Sequence, residues 1–468
     1  MGATIMRRLF VWLGSGALAG LIMGPNTVLA QGYGVYEHGS CAMGRAGTAV
    51  ASPCQDGSAI FFNPAGLALG GGQQISAGGT LIIPSGNFEN DVTGLKSSLN
   101  NRVYPVPHVY YARRINDRFA AGFGLFAPYG LETDWPENSE GRFLGYKSII
   151  QGIYLQPTLA MRLTPKIAIG AGLDITHLHV QLNQHADLSS VALPPPAPPG
   201  QTFANLGIAA GTDFADAELT GGGWNMGANF GIHFQLTNKL ALGARYLTRQ
   251  KVEINNGQVV FTQIQTGIIL AAGNPFGAPA GTPLDAVLAP RFLADSTLGS
   301  QSASTSITLP DQIVVGAAYQ LTDKFKVLFD YQRVNWKVFD ALVLNFENAG
   351  QRTLVENYRA SNGYRIGGEY AIRPTTMIRA GFLTHTAAAP DETVTPNLPE
   401  GPRSEFTLGL GTRLTGALRV DLAYQYIDQA DRRGRSTDGG FTTPTTAVNN
   451  GLYKFNAHLF GATFALAF

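Results

Sequence analysis

Charged side chains are scarce in this chain: Lys, Arg, Asp and Glu make up 14% of its 468 residues, where soluble domains carry about 25%. The two signs nearly cancel, 33 basic against 32 acidic, so nothing points to nucleic acid or to an electrostatically steered partner. Cysteine is almost missing, with Cys41 and Cys54 the only two, and no metal or cofactor motif accompanies them. Long apolar runs are missing too. Beyond the first thirty residues no stretch of about eighteen apolar residues occurs, so no spanning helix is expected.

The N-terminus does carry one apolar run. Arg7 and Arg8 precede Leu9 to about Gly24, and Val28-Leu29-Ala30 offers small residues for cleavage. This is the pattern of a secretory signal. The alternative, a first membrane helix, suffers from the glycines and Pro25 that interrupt it. Residues 1–30 are therefore read as a signal peptide, with the mature chain starting at Gln31. An exported chain with few charges and 57 glycines is either a secreted β-protein or an outer-membrane barrel. In an oxidising compartment Cys41 and Cys54 are expected to form a disulfide; two buried thiols are the alternative.

From about residue 73 the pattern has period two. "KLALGARYL" sets Leu240, Leu242, Ala244 and Tyr246 against Ala241, Gly243 and Arg245. "LRVDLAYQY" sets Leu418, Val420, Leu422, Tyr424 and Tyr426 against Arg419, Asp421, Ala423 and Gln425. A soluble sandwich also alternates, but here the second face holds charges and glycines, as in a lumen. The connections favour the barrel. Short turns at Asn116-Asp117-Arg118, Thr164-Pro165-Lys166, Thr237-Asn238-Lys239, Thr322-Asp323-Lys324, Arg373-Pro374-Thr375 and Thr415-Gly416-Ala417 alternate with long segments near 84–101, 129–148, 184–221, 263–301, 347–361, 387–403 and 430–451. Six turns and seven loops imply fourteen strands, the even count and one-sided loops of an outer-membrane barrel. "HLFGATFALAF" closes the chain as an alternating strand ending in Phe468, the kind of end that outer-membrane assembly machinery recognises.

About forty mature residues precede the first strand, too few for a domain of their own. A fourteen-stranded barrel is too wide for its wall side chains to fill, so residues 31–72 are read as a plug and 73–468 as the barrel. Within the plug, Asn63-Pro64 in "AIFFNPAGLAL" suits a helix N-cap followed by proline at the first helical position, with Gly70 as the stop.

In Gly44-Arg45-Ala46-Gly47, Asp56 and Asn63-Pro64-Ala65 the chain resembles the FadL/TodX outer-membrane transporters of long-chain fatty acids and other hydrophobic compounds. "APYGLETDW", "LPDQIVVGAAYQL", "FDYQRVNW", "NGYRIGGEYAI" and "RAGFLTHTAAAP" extend the resemblance over the mature chain. It implies an all-β, fourteen-stranded antiparallel transmembrane barrel in a Gram-negative outer membrane, with the plug, called the hatch, at its periplasmic end. It also implies passive uptake: ligand binds in the lumen near the extreme N-terminus of the hatch, here Gln31, Gly32 and Tyr33. The ligand then leaves sideways through a kink in the third strand. Pro128, Tyr129 and Gly130 are the candidate kink, since such residues end or bend strands. The cysteine pair would staple the hatch and leave mainly Gln31 to Ser40 free to shift.

Arg suits carboxylate recognition, and Arg162, Arg245, Arg365, Arg379, Arg413 and Arg419 fall on the lumen-facing phase. They are candidate ligand contacts, with structural ion pairing to Asp330, Glu369 and Asp421 as the competing role. The expected partners are a hydrophobic small molecule, membrane lipids and the assembly machinery, for a protein acting as a monomer. Transport of aromatic hydrocarbons or general porin diffusion are the alternatives; an open charged constriction would mark a porin. An enzyme is not expected, because His177 and His179 share a strand face but no motif ties a Ser or Asp to them.

Overall fold

The computed structural model describes residues 32–91, 93–100, 102–193, 198–434 and 451–468. The signal peptide, Gln31 and the proline-rich centre of Leu193 to Gly200 fall outside these.

The chain crosses the barrel wall fourteen times. Strands one to six are Gln73–Asn90, Tyr104–Arg114, Phe119–Asp134, Lys147–Arg162, Ile167–Asp187 and Asp213–Gln235. The next four are each interrupted once: Leu240–Leu247 with Gln250–Gln263, Gln301–Leu309 with Gln312–Gln320, Phe325–Val334 with Ala341–Phe346, and Gly350–Val355 with Ser361–Arg373. Thr376–His385, Arg403–Arg413, Leu418–Gly434 and Gly451–Ala467 complete the count. Each strand pairs antiparallel with its sequence neighbours, and the last pairs with the first from Gln74–Ala467 to Asn90–Gly451. The sheet is therefore closed and has no free lateral edge. Phe468 and Gln73 exchange backbone hydrogen bonds at the seam.

All six short turns lie at one end. At the other end the strands run further than the period-two pattern suggested: the first reaches Asn90, the fifth Asp187, and the sixth starts at Asp213. The segment near 347–361 is not an irregular loop but a hairpin, Ala341–Phe346 against Gly350–Val355. Beyond the membrane level a strand loses the lipid-facing apolar phase, so alternation fades while the ladder continues.

The alternation sorts as expected. Asp421, Ala423 and Gln425 are buried towards the lumen, while Leu159, Phe406, Leu408 and Phe464 are all more than half exposed on the outer face. Such an apolar outer surface is stable only against lipid.

Residues 32–69 lie inside the ring of strands, and nearly all are buried. They form an α-helical turn Ser40–Met43, a second one Ala59–Phe62 and a 3-10 helix Pro64–Leu69. The last is where a capped α-helix was expected. Asn63 does cap it, accepting from the Ala65 N–H at 3.2 Å. The apolar Phe61-Phe62 pair belongs to the preceding turn instead, because Asn63 is extended and separates the two helices.

Glycine explains how a segment of backbone fits against a wall. Gly170 and Gly231 face each other across strands five and six. A Cβ on Gly231 would stand 2.1 Å from Asn63 Oδ1, and one on Gly170 2.4 Å from the Pro64 carbonyl carbon. Gly367 and Gly381 form a second facing pair under Arg45 and Ala46. The short side-chain-free notches let hatch-like backbone touch barrel backbone.

Candidate functional site

At the turn end, the N-terminal segment is held by polar and ionic contacts. Asn63 Nδ2 donates to Val50 O at 2.6 Å and to Ile232 O of the sixth strand at 3.0 Å. Asp330 Oδ2 accepts the N–H groups of Ala49 and Val50 at 3.1 and 3.2 Å. Arg45 approaches Glu369 at 3.7 Å, and Arg379 links Glu369 to Asp421, each at 2.7 Å. Arg419 holds the other oxygen of Asp421 at 2.7 Å. Asp56 accepts from the Ser58 N–H and hydroxyl, at 3.0 and 2.5 Å; burial pushes its carboxyl up against those bonds. Cys41 and Cys54 are joined in a disulfide, with Cα atoms 6.1 Å apart.

The candidate arginines serve this framework. Arg162 donates to Ala68 O at 2.7 Å. Arg245 donates to Phe61 O at 3.1 Å and Gln312 Oε1 at 2.6 Å, and covers the Phe61 ring at 4.4 Å. Arg365 donates to Gln332 and stacks on Tyr36. Arg413 is exposed at the mouth of the turn end. None of the six lines the apolar cavity described next. The lumen phase was read correctly, but the strands that carry these arginines bring all but the exposed Arg413 to plug height, where backbone carbonyls, glutamine amides and carboxylates occupy them.

The third strand holds the second feature. Its pairing with the fourth strand shifts between Phe126 and Tyr129, so Ala127 and Pro128 oppose Ile153 alone. This bulge bends the strand. On its other side the ladder to the second strand ends at Val109–Leu125. Among the described residues, backbone hydrogen bonding resumes where Asn100 N donates to Asp134 O at 2.8 Å. Between these points lies a slit, with Tyr104–His108 on one side and Phe126–Thr133 on the other.

Both edges of the slit are prepared for missing partners. Arg114 N donates to Gly72 O on the first-strand side, and the register from Tyr104 to Arg113 is unbroken. Even-numbered residues of the second strand therefore direct N–H to the first strand and odd-numbered ones to the third. Pro105 and Pro107 are odd, so no orphan donor faces the slit. On the opposite edge, Tyr33–Val35 stands in for the absent strand. Val35 N donates to Pro128 O and Gly130 N to Tyr33 O, both at 2.9 Å, around an antiparallel Gly34–Tyr129 bridge. Tyr129 is buried and reaches across the lumen to donate to Pro310 O at 2.8 Å. Tyr33 packs on Trp336, with centroids 4.6 Å apart, and on Phe339.

Behind the slit lies an apolar cavity of about 630 Å³, lined by Gly32, Tyr33, Val35, Phe126, Tyr129, Ile150 and Leu459 among others. This is within the size range of small-molecule sites. Pro105, Val106 and Pro107 also line it, so it is continuous with the slit. Outside, exposed Leu81, Leu125 and Ile153 flank the slit. At the loop end Glu400 accepts N–H bonds from Gly32, Ala388 and Ala389 at 2.8 to 3.1 Å. Burial pushes its carboxyl up, opposed by those three donors. His38, buried beside this site with Nε2 2.9 Å from Val35 O, is pushed down to about 3 by burial and by neighbouring His108. His177 points outward and packs on Trp224 at 4.6 Å.

Sequence reasoning missed Pro105, Pro107 and Glu400. The prolines were findable: two prolines two apart inside a β-pattern mark a strand whose one edge is unpaired. Glu400 gave no local signal, since its partners come from 368 and 12 or 11 residues away.

A fourteen-stranded barrel with its lumen occupied by its own N-terminus, and an apolar cavity opening sideways between two strands, defines an outer-membrane channel for hydrophobic molecules. The chain belongs to the outer membrane protein transport protein (OMPP1/FadL/TodX) family, whose model matches residues 21–468. It is 23% identical over 427 residues to outer membrane protein P1 of Haemophilus influenzae, covering 85% of this chain and 86% of that one. It is 23% identical to the long-chain fatty acid transport protein of Escherichia coli O6:H1, covering 94% and 95%. Among solved structures, a Pseudomonas aeruginosa FadL homologue superposes with a TM-score of 0.76 at 18% identity, covering 94% and 100%. The Ralstonia pickettii toluene transporter TbuX gives 0.63 at 20% identity, covering 92% and 99%.

Proposed function

We propose that this protein takes up hydrophobic molecules without an energy source, by binding them in the 630 Å³ cavity and releasing them sideways into the membrane. The continuity of that cavity with the slit between the second and third strands carries the reading. A long alkyl chain gains roughly 0.8 kcal/mol per buried methylene, so a watery path through the lumen would resist it. A lateral path keeps it in apolar surroundings. Residues 31–72 act as the plug, with the Asn63-Pro64-Ala65 turn and the Cys41–Cys54 staple fixing the turn end. The replaceable element is Tyr33–Val35, next to the candidate exit at Pro128, Tyr129 and Gly130. The occupied lumen speaks against general porin diffusion. The long-chain fatty acid and toluene transporters among the similar proteins bracket the ligand between acyl chains and aromatic hydrocarbons.

The test is to restore the wall. Replacing Pro105→Val, Pro107→Val and Pro128→Val gives the slit donors that it lacks. Uptake of labelled long-chain substrate by cells without their own transporter is expected to fall at least about ten-fold, with the barrel still inserted and heat-stable. Undiminished uptake by the properly inserted variant would overturn the lateral route.

A further inference from the structure

The cavity has a polar end, and its charge is one-sided. Its lining includes four carboxylates, Glu37, Glu132, Glu400 and Glu405, but only one guanidinium, Arg403. Glu405 and Glu37 sit close enough to share one donor: Gln425 Nε2 gives to Glu405 Oε2 at 2.5 Å and to Glu37 Oε1 at 2.9 Å. Arg403 donates to Gln429 at 3.3 Å, and Arg365 lies beside Glu37 and Glu405 without lining the cavity. Arg432, buried at the loop end, is taken up by Ala389 O and Asp391, and no arginine besides Arg403 lines the cavity among the described residues.

An ionised carboxylate entering this space would meet like charges in a poorly solvated site, where repulsion is weakly screened. A head group that donates hydrogen bonds would meet carboxylate acceptors. We infer that the ligand of this cavity is a long-chain molecule whose polar end is a hydrogen-bond donor without negative charge, an alcohol or an amine, rather than an ionised fatty acid. This rests on the reading above that the cavity holds the transported molecule.

The experiment uses purified full-length mature protein in nanodiscs and labelled dodecanol at pH 8, displaced by dodecylamine, dodecane or dodecanoate. Dodecanol and dodecylamine are expected to bind about ten-fold or more tighter than dodecanoate, with dodecane between them. In Glu37→Gln/Glu405→Gln, dodecanoate is expected to approach dodecanol to within about three-fold, as the repulsion is lost and dodecanol gives up its carboxylate acceptors. Arg403→Gln should weaken dodecanoate further. Dodecanoate that matches or beats dodecanol in the native protein overturns the inference while leaving the cavity reading intact, whatever the variants do. If labelled dodecanol and all competitors fail to bind, the cavity reading falls, and the inference with it.

Discussion

The two ends of the N-terminal segment are attached to the barrel by different chemistry. From Arg45 to Ala68 it is bound by buried ion pairs, a cap that also bonds the wall, and backbone laid against glycine pairs. From Gly32 to Val35 it is bound by two backbone hydrogen bonds to the third strand, one carboxylate and aromatic packing. Removing one partner of a buried charge network is costly, roughly 3–5 kcal/mol. A pair of backbone hydrogen bonds can instead be exchanged for others at a net cost of about 1 kcal/mol each. On the function proposed above, the first attachment serves as the seal and the second as the contact that ligand displaces. The disulfide ties Cys41, which lies between the two stretches, to Cys54 of the first.

The sharpest way to break this division is at Arg379, whose side chain is completely buried between Glu369 and Asp421. Arg379→Met removes the charge that joins two buried carboxylates, leaving Glu369 only Arg45 and Lys326 at 3.7 Å and Asp421 only Arg419, and should destabilise the seal by roughly 3 kcal/mol. It would be read as loss of heat-resistant folded barrel on gels, or as failure to insert.

Asn63→Ala comes next. Capping alone would cost about 1 kcal/mol, but the side chain also serves Val50 O and Ile232 O in a fully buried place. Leaving Val50 O unsatisfied, and losing the tie to the wall at Ile232, raises the expected loss to roughly 2–4 kcal/mol. The barrel should remain, with increased ion leakage through single molecules in planar bilayers.

The smallest effect is on pH. The buried imidazole of His38 is pushed down to about 3, against an ordinary value of 6.5. A displaced segment would therefore take up a proton that the docked one does not, at every pH between those values. Docking by this group is fully present above about 6.5 and weakens as pH falls towards 3. Protease protection of the N-terminal segment should decline over that window, and His38→Asn should flatten the decline.

Much of this was legible in the sequence because barrels repeat a simple rule. Period-two alternation gave the lumen face of Arg245, Asp421 and Gln425, and the six Thr- or Asn-marked turns gave the strand count and the common end. Strand ends were not legible where alternation fades above the membrane, as at Asn90 and Asp187. The height of a lumen residue was not legible either: phase says which way Arg379 points but not whether plug or cavity stands opposite. That depends on strand stagger around the ring, a long-range property. Pro128 and Gly130 were marked by their own chemistry, whereas the role of Tyr33–Val35 as a substitute strand needed the third dimension.

The central claim is that Tyr33–Val35 must leave the third strand for ligand to exit. Gly34 and Tyr129 form a non-hydrogen-bonded antiparallel bridge, a spacing of about 4.5 Å that a disulfide can span. The measurement is substrate uptake by Gly34→Cys/Tyr129→Cys in a Cys41→Ser/Cys54→Ser background, oxidised and then reduced in the same cells. The account predicts that the oxidised, locked protein loses uptake by about ten-fold or more and that reduction restores it. Equal uptake in the locked and the reduced protein would contradict it.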